Sequence, residues 1–162
     1  MTRRIHPFKE ADFSRVHQIC VAAFTPIHEG FEQALGPQIF AREYPGWQAR
    51  YADDIRALVA AAPATLLHVM EDNDRIIGFV ATILHADRKC GEIGLNAVDP
   101  AWQGKGAGKE MYAFALQSLK ERGAAYAYVG TGADAAHAPA RKAYEAMGFD
   151  KVIPSNHYYR KL

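Results

Sequence analysis

At 162 residues, with 49% hydrophobic and 23% charged residues, the chain has ordinary globular composition and the length for one domain with a substantial core. A formal net charge of +1 from scattered basic residues excludes the electrostatic footprint of a nucleic-acid binder. No apolar run follows the basic residues of Met1 to Pro7, and none approaches the roughly 18 apolar residues of a membrane span, so a cytoplasmic protein without a membrane partner is expected.

In chain order, Asp12 is a helix-cap candidate ahead of an apolar stripe of Phe13, Val16, Cys20, Ala23 and Phe24, and that helix is predicted to stop before Pro26. Trp47, Tyr51, Ile55, Leu58 and Val59 repeat the period and end before Pro63. The intervening Thr25 to Gly46 reads as a loop-rich insert with room for a short helix and the makings of a substrate wall. Thr65 to Glu71 and Arg75 to Leu84 are β-rich and joined by the turn-prone Asp72-Asn73-Asp74, which predicts an antiparallel hairpin. Cys90 to Val98 adds a third strand.

Asp99-Pro100 closes that strand, and a helix begins in the glycine-rich Gln103-Gly104-Lys105-Gly106-Ala107-Gly108, with Met111, Phe114, Ala115 and Leu119 on one face. Gly123 suits its stop, and Ala124 to Thr131 reads as a further strand. Pro139 opens a last helix with Ala140, Ala143, Tyr144 and Met147 inward and Gly148 as its end. Phe149 to Ile153 and His157 to Lys161 are expected as closing strands. Cys20 and Cys90 fit no ligand spacing and read as reduced core thiols; the seven histidines form no HExxH pattern, so no metal is indicated.

A glycine loop between strand and helix aims backbone N–H groups outward at the positive end of the helix, where a phosphate can accept them. As a dinucleotide fingerprint this loop fails, because G-x-G-x-x-G would need glycine at Lys109 or Met111. As a P-loop it fails too: Glu110 follows Gly108-Lys109 in place of serine or threonine, and Gln103 holds the first glycine position. A plain connector that only turns the chain is the remaining structural alternative.

Gln103, Gly106 and Gly108 do match Q/R-x-x-G-x-G/A, after a strand ending in Ala97-Val98-Asp99-Pro100. With the closing Ala140-Arg141-Lys142-Ala143-Tyr144-Glu145-Ala146-Met147-Gly148-Phe149, this resembles the GCN5-related N-acetyltransferase (GNAT) family over roughly Arg75 to Phe149. The resemblance implies a single α+β domain over residues 1–162. Its sheet would be central, twisted and mostly antiparallel, of about six to seven strands flanked by about four helices, with one strand pair splayed to admit CoA. It also implies acetyl-CoA as acyl donor. The backbone from Gly104 to Gly108 would hold its pyrophosphate, with Gln103, Lys105, Ala107 and Lys109 in the same segment, while Ala97 and Val98 would pair with the pantetheine arm. A homodimer is a further implication.

Acyl transfer from a thioester to an amine needs a proton acceptor, a polarised carbonyl and a proton for the leaving thiolate. Glu92, at the start of its strand beside Ile93, is the candidate base; a solvent-facing strand residue or a water chain is the alternative. Tyr144 matches the family tyrosine that faces the CoA sulfur, and a core aromatic is the alternative. By resemblance, the Val98 N–H polarises the carbonyl. His137 stands where the family often has asparagine, seven residues before its tyrosine, so its contact with the cofactor arm competes with a loop-closing role. Arg141 and Lys142 are candidates for CoA phosphate or simple helix surface. The stretch Phe24 to Glu29, the loop-rich insert, Asn96 and the segment Ser155 to Tyr159 are the candidate acceptor contacts.

The leading expectation is an N-acetyltransferase acting on a primary amine of a small molecule, antibiotic or peptide. A non-catalytic CoA sensor or scaffold shares the loop and differs in lacking turnover. A small nucleotide-binding protein of another fold is a remote third reading.

Overall fold

The computed structural model describes residues 3–162; the first two residues of the basic N-terminal stretch lie outside them. Helix α1 (Phe13–Leu35) runs through Pro26, where the sequence predicts a stop. Proline removes the bond to the Ala22 carbonyl, and next to it the Thr25 hydroxyl donates to the Val21 carbonyl at 2.8 Å. Val16, Ile19 and Cys20 are buried before the proline and His28 after it. Packing on both sides carries the helix across a local break, as tertiary contacts outweigh local propensity. Gly36, with φ of 74°, ends α1, and Pro37 opens α2 (Pro37–Glu43), so the insert is largely helical. Helix α3 (Trp47–Ala60) follows.

Five strands form one sheet in the order β1-β2-β3-β4-β5. Strands β2 (Thr65–Asp72), β3 (Arg75–His85) and β4 (Cys90–Val98) make the antiparallel meander the sequence predicts. The edge strand β1 (Arg3–Pro7) was not expected, because its pairing with β2 is carried by charge instead of an apolar pattern. Arg3 lies opposite Asp72 and Arg4 opposite Glu71, with ion pairs at 3.5 and 2.6 Å, an arrangement that favours that register.

Helix α4 (Ala107–Glu121) connects β4 to β5 (Tyr126–Val129), which runs parallel to β4. Helix α5 (Ala138–Ala146) follows. The two predicted closing strands do not form, and among the described residues the sheet has five strands in place of six to seven. The chain turns at Gly148, φ 89°, and Phe149 folds back onto Tyr144 with ring centroids 6.0 Å apart. Pro154 has no N–H to offer a ladder, and Val152 and Ile153 face solvent. The tail instead reaches α2, where Lys161 Nζ donates to Gln38 Oε1 at 3.0 Å.

The sheet is covered on both faces. Val16, Ile19 and Cys20 of α1 and Ile55 of α3 pack on Leu67, Val69, Phe79, Ala81 and Ala97. Burial pushes the Cys20 thiol up to about 12, so it is an inert core group. Across the sheet, Met111, Tyr112, Ala115 and Leu119 of α4 and Tyr144 of α5 pack on Met70, Ile77, Val80 and Ile93. Helix α4 lies close because Gly78 and Gly91 give way beneath it: a Cβ at Gly78 would stand 2.9 Å from Met111 Sδ, and one at Gly91 2.8 Å from Leu119 Cδ1.

Strand β4 is irregular in two places. Between the Ile93–Thr82 and Asn96–Val80 pairs, Gly94 and Leu95 oppose Ala81 alone, which is a β-bulge. Pairing with β5 covers Cys90 to Ile93 and ends at Ile93–Val129. Beyond that point β4 keeps β3 on one side and, among the described residues, has no strand on the other.

Candidate active site

The half of β4 from Gly94 to Val98 therefore borders an opening in the sheet. Asp99 donates its N–H to the Ile77 carbonyl of β3 at 2.8 Å. Backbone groups alternate along a strand, so Ala97 also addresses β3, opposite Phe79, while Asn96 and Val98 address the opening. Of the two residues expected to pair with a pantetheine arm, Val98 has its backbone turned the right way and Ala97 does not. The Val98 carbonyl already accepts from Gln103 Nε2 at 3.1 Å, leaving its N–H for the opening.

At the mouth of the opening the glycine loop meets α4. Gly104 and Gly106 have φ of 72° and 83°, left-handed values that non-glycine residues seldom adopt. Such a path turns successive N–H groups into a concave anion cradle ahead of a helix N-terminus. Ala107 is buried and anchors the helix, Gly108 is half-buried, and Lys109 is exposed beside the cradle. Lys105 folds back, its amine donating to the Ala101 carbonyl at 2.9 Å and lying 5.1 Å from the Trp102 ring centre. These residues suit a pyrophosphate.

Tyr144 and Asn96 come together inside the opening. Asn96 Nδ2 donates to the Gly94 carbonyl at 2.9 Å, which can only accept and so fixes the amide's orientation. Its Oδ1 accepts from the Tyr112 hydroxyl at 2.9 Å, and Nδ2 reaches the Tyr144 oxygen at 3.4 Å. Donation thus runs from Tyr112 to Asn96 to Tyr144, and the Tyr144 proton is left to be given elsewhere. Both tyrosines are buried, 6% and 7% exposed, with rings 5.0 Å apart. Burial, then the neighbouring Tyr144, raises the Tyr112 pKa, keeping it a donor.

On the other face, where the β4–β5 pairing is about to end, Glu92 Oε2 accepts from the Tyr128 hydroxyl at 2.6 Å and pairs with His85 Nε2 at 2.8 Å. Its side chain is 24% exposed. The hydrogen bond to Glu92, followed by burial, raises the Tyr128 pKa. Both bonds fall on Oε2; among the described residues none is made by Oε1.

His137 ends a 3₁₀ turn, Ala135–His137, after β5. Its Nδ1 pairs with Asp134 Oδ2 at 2.6 Å. Burial works to raise the Asp134 pKa, but the His137 hydrogen bond, the His137 charge and backbone N–H bonds together outweigh it, so the carboxyl sits below its usual range. Arg141 is spent on the Gly132 and Asp134 carbonyls, at 2.6 and 2.7 Å. The His137 ring lies 6.4 Å from that of Phe31 on α1. Phe24 packs against Tyr51 at 5.0 Å within the α1–α3 layer, and Glu29 is exposed on α1. Of the candidate acceptor contacts, Phe24 and Glu29 thus lie on α1, Asn96 on β4 is bound up in the tyrosine chain, and the segment Ser155 to Tyr159 is exposed in the tail.

Sequence reading missed Tyr112, His85, Tyr128 and Arg3. Tyr112 carried a signal, lying next to Met111 on the inner face of α4; the other three depend on strand register, which no local pattern encodes.

The sequence pattern that defines the acetyltransferase (GNAT) family matches residues 34–149. A mycothiol acetyltransferase of Segniliparus rotundus is 33% identical over 113 residues, 66% of this chain and 41% of that protein. The chain spans about two fifths of the length of the curated relatives it matches. Among solved structures, the ribosomal-protein-S18-alanine N-acetyltransferase from Escherichia coli superposes with a TM-score of 0.68 at 19% identity, over 99% of this chain and 85% of that one. The PaiA N-acetyltransferase from Thermoplasma acidophilum in complex with coenzyme A does so with a TM-score of 0.71 at 15% identity, over 96% and 94%.

Proposed function

The chain belongs to the acetyltransferase (GNAT) family, and on that premise we propose that it moves an acetyl group from acetyl-CoA to a primary amine of a small molecule, antibiotic or peptide. The observation that carries this reading is the ending of β4–β5 pairing at Ile93–Val129 beside a left-handed glycine loop at the start of α4. A sheet with no opening would have no free backbone for an acyl-pantetheine arm, and a loop without glycines could not turn its N–H groups toward a pyrophosphate.

In this reading the amine nitrogen attacks the thioester carbonyl carbon, the C–S bond breaks, and two protons are handled by separate groups. An alkylamine, reference pKa about 10.4, is mostly protonated near neutral pH and must lose a proton to attack. Glu92 Oε1 receives it, with Oε2 steadied by Tyr128 and His85. Charge developing on the carbonyl oxygen is met by the Val98 N–H. Tyr144, whose oxygen accepts from Asn96, gives its proton to the departing thiolate, and the second proton that the nitrogen sheds as the amide forms restores the phenol through solvent. His137 borders the arm, held by Asp134.

We read residues 1–162 as one cytoplasmic acyltransferase domain acting as a homodimer. Incubation of the purified protein with acetyl-CoA and a panel of amines, followed by mass spectrometry, tests the activity. Gain of one acetyl group by an amine, dependent on the protein, is the expected result. CoA binding without any transfer would instead support a sensor.

A further inference from the structure

We propose that Arg3, far from the glycine loop in sequence, is a positioning residue that sets the loop for its anion and masks a carboxylate that would repel it. This inference rests on the reading that the loop holds the pyrophosphate of CoA. Arg3 is the first residue of β1, and its side chain reaches the end of β2, the glycine loop and the first turn of α4. Its NH2 donates to the Lys105 carbonyl at 2.8 Å, its NH1 to Glu110 Oε1 at 2.5 Å, and its Nε faces Asp72 Oδ2 at 3.5 Å. The Arg3 side chain is 14% exposed and Asp72 buried, so that pair is little screened, while Glu110 is half exposed.

Each contact has a consequence at the cradle. Lys105 lies between the two left-handed glycines, Gly104 and Gly106. Drawing its carbonyl toward Arg3 holds the loop in a path where neighbouring N–H groups can face an anion. Glu110 sits in the first turn of α4, where a carboxylate competes with a bound phosphate for the positive helix end. Asp72 is buried. One cation thus stands between the buried Asp72 and the half-exposed Glu110 near the anion site, and without Arg3 the Glu110 carboxylate would lose the partner that offsets its charge there.

The test is calorimetric titration of CoA into the full chain and into Arg3→Gln, Glu110→Gln and the double variant. Arg3→Gln is expected to weaken CoA binding about tenfold, the scale of a lost charged hydrogen bond. Glu110→Gln is expected to bind as tightly as the parent or more tightly, because it frees the Arg3 charge. The double variant should bind more tightly than Arg3→Gln, a rescue that a merely structural role for Arg3 would not produce. Folded Arg3→Gln binding CoA within about twofold of the parent would overturn the inference, as would a double variant no tighter than Arg3→Gln. If Arg3→Gln does not fold, Glu110→Gln decides, and weaker binding by it overturns the charge-masking role. A parent chain that binds no CoA would instead overturn the reading of the loop itself.

Discussion

Asn96 on β4 and Tyr144 on α5, 48 residues apart, meet at the opening in the sheet with the amide donating to the phenol oxygen at 3.4 Å. A donor on the oxygen polarises the O–H bond outward, and hydrogen bonds in a chain reinforce one another.

Tyr144→Phe keeps the ring packed against Tyr112 and removes only the hydroxyl. Loss of a general acid lowers kcat by about a hundredfold or more, with the dissociation constant for CoA little changed. Steady-state kinetics beside CoA titration checks both.

Asn96→Ala breaks the chain one step back. We expect kcat to fall about tenfold, the size of one hydrogen bond to a polarised group, while KM for the acceptor amine stays level. A large rise in that KM with kcat intact would return Asn96 to the acceptor-contact role suggested by its sequence position.

Glu92→Gln removes the proton acceptor while keeping the shape of the site, and kcat at neutral pH should fall about a hundredfold. Tyr128→Phe leaves the His85 bond in place, so its loss should be smaller, about tenfold at most. Equal effects of the two substitutions would contradict a base that Tyr128 only steadies.

Two buried histidines give the fold a pH signature. Burial lowers the pKa of His28, and burial followed by the charges of Arg122 and His6 lowers that of His68. Each therefore takes up a proton less readily in the fold than in the unfolded chain, where histidine titrates near pH 6.5. The unfolded state therefore binds more protons as pH falls below about 6.5, and stability present above that pH is lost on the acid side. Urea unfolding between pH 8 and 5 should show the decline, and His28→Phe should flatten it; parallel curves would contradict the assignment.

The meander, the glycine loop and the two later helices are legible in the sequence because each carries a local signal: alternation, left-handed glycines, and a proline-to-glycine frame around Tyr144. The continuation of α1 through Pro26 is not, since it depends on His28 being buried beyond the break. Strand β1 escapes because Arg3 and Arg4 pair with acids that lie next to them only in the folded sheet. The candidate site divides the same way. Tyr144 and the loop announce themselves by motif, while Asn96, Tyr112 and Tyr128 acquire their roles through the β4 bulge and the register of β5.

That the opening beside β4 and the glycine loop form one acetyl-CoA site is best tested by titrating acetyl-CoA into ¹⁵N-labelled protein and following assigned amide resonances. Val98, Gly104, Gly106 and Gly108 are expected to shift together, reaching their end points at one saturating concentration. No shifts, or shifts confined to other parts of the chain, would contradict a shared site.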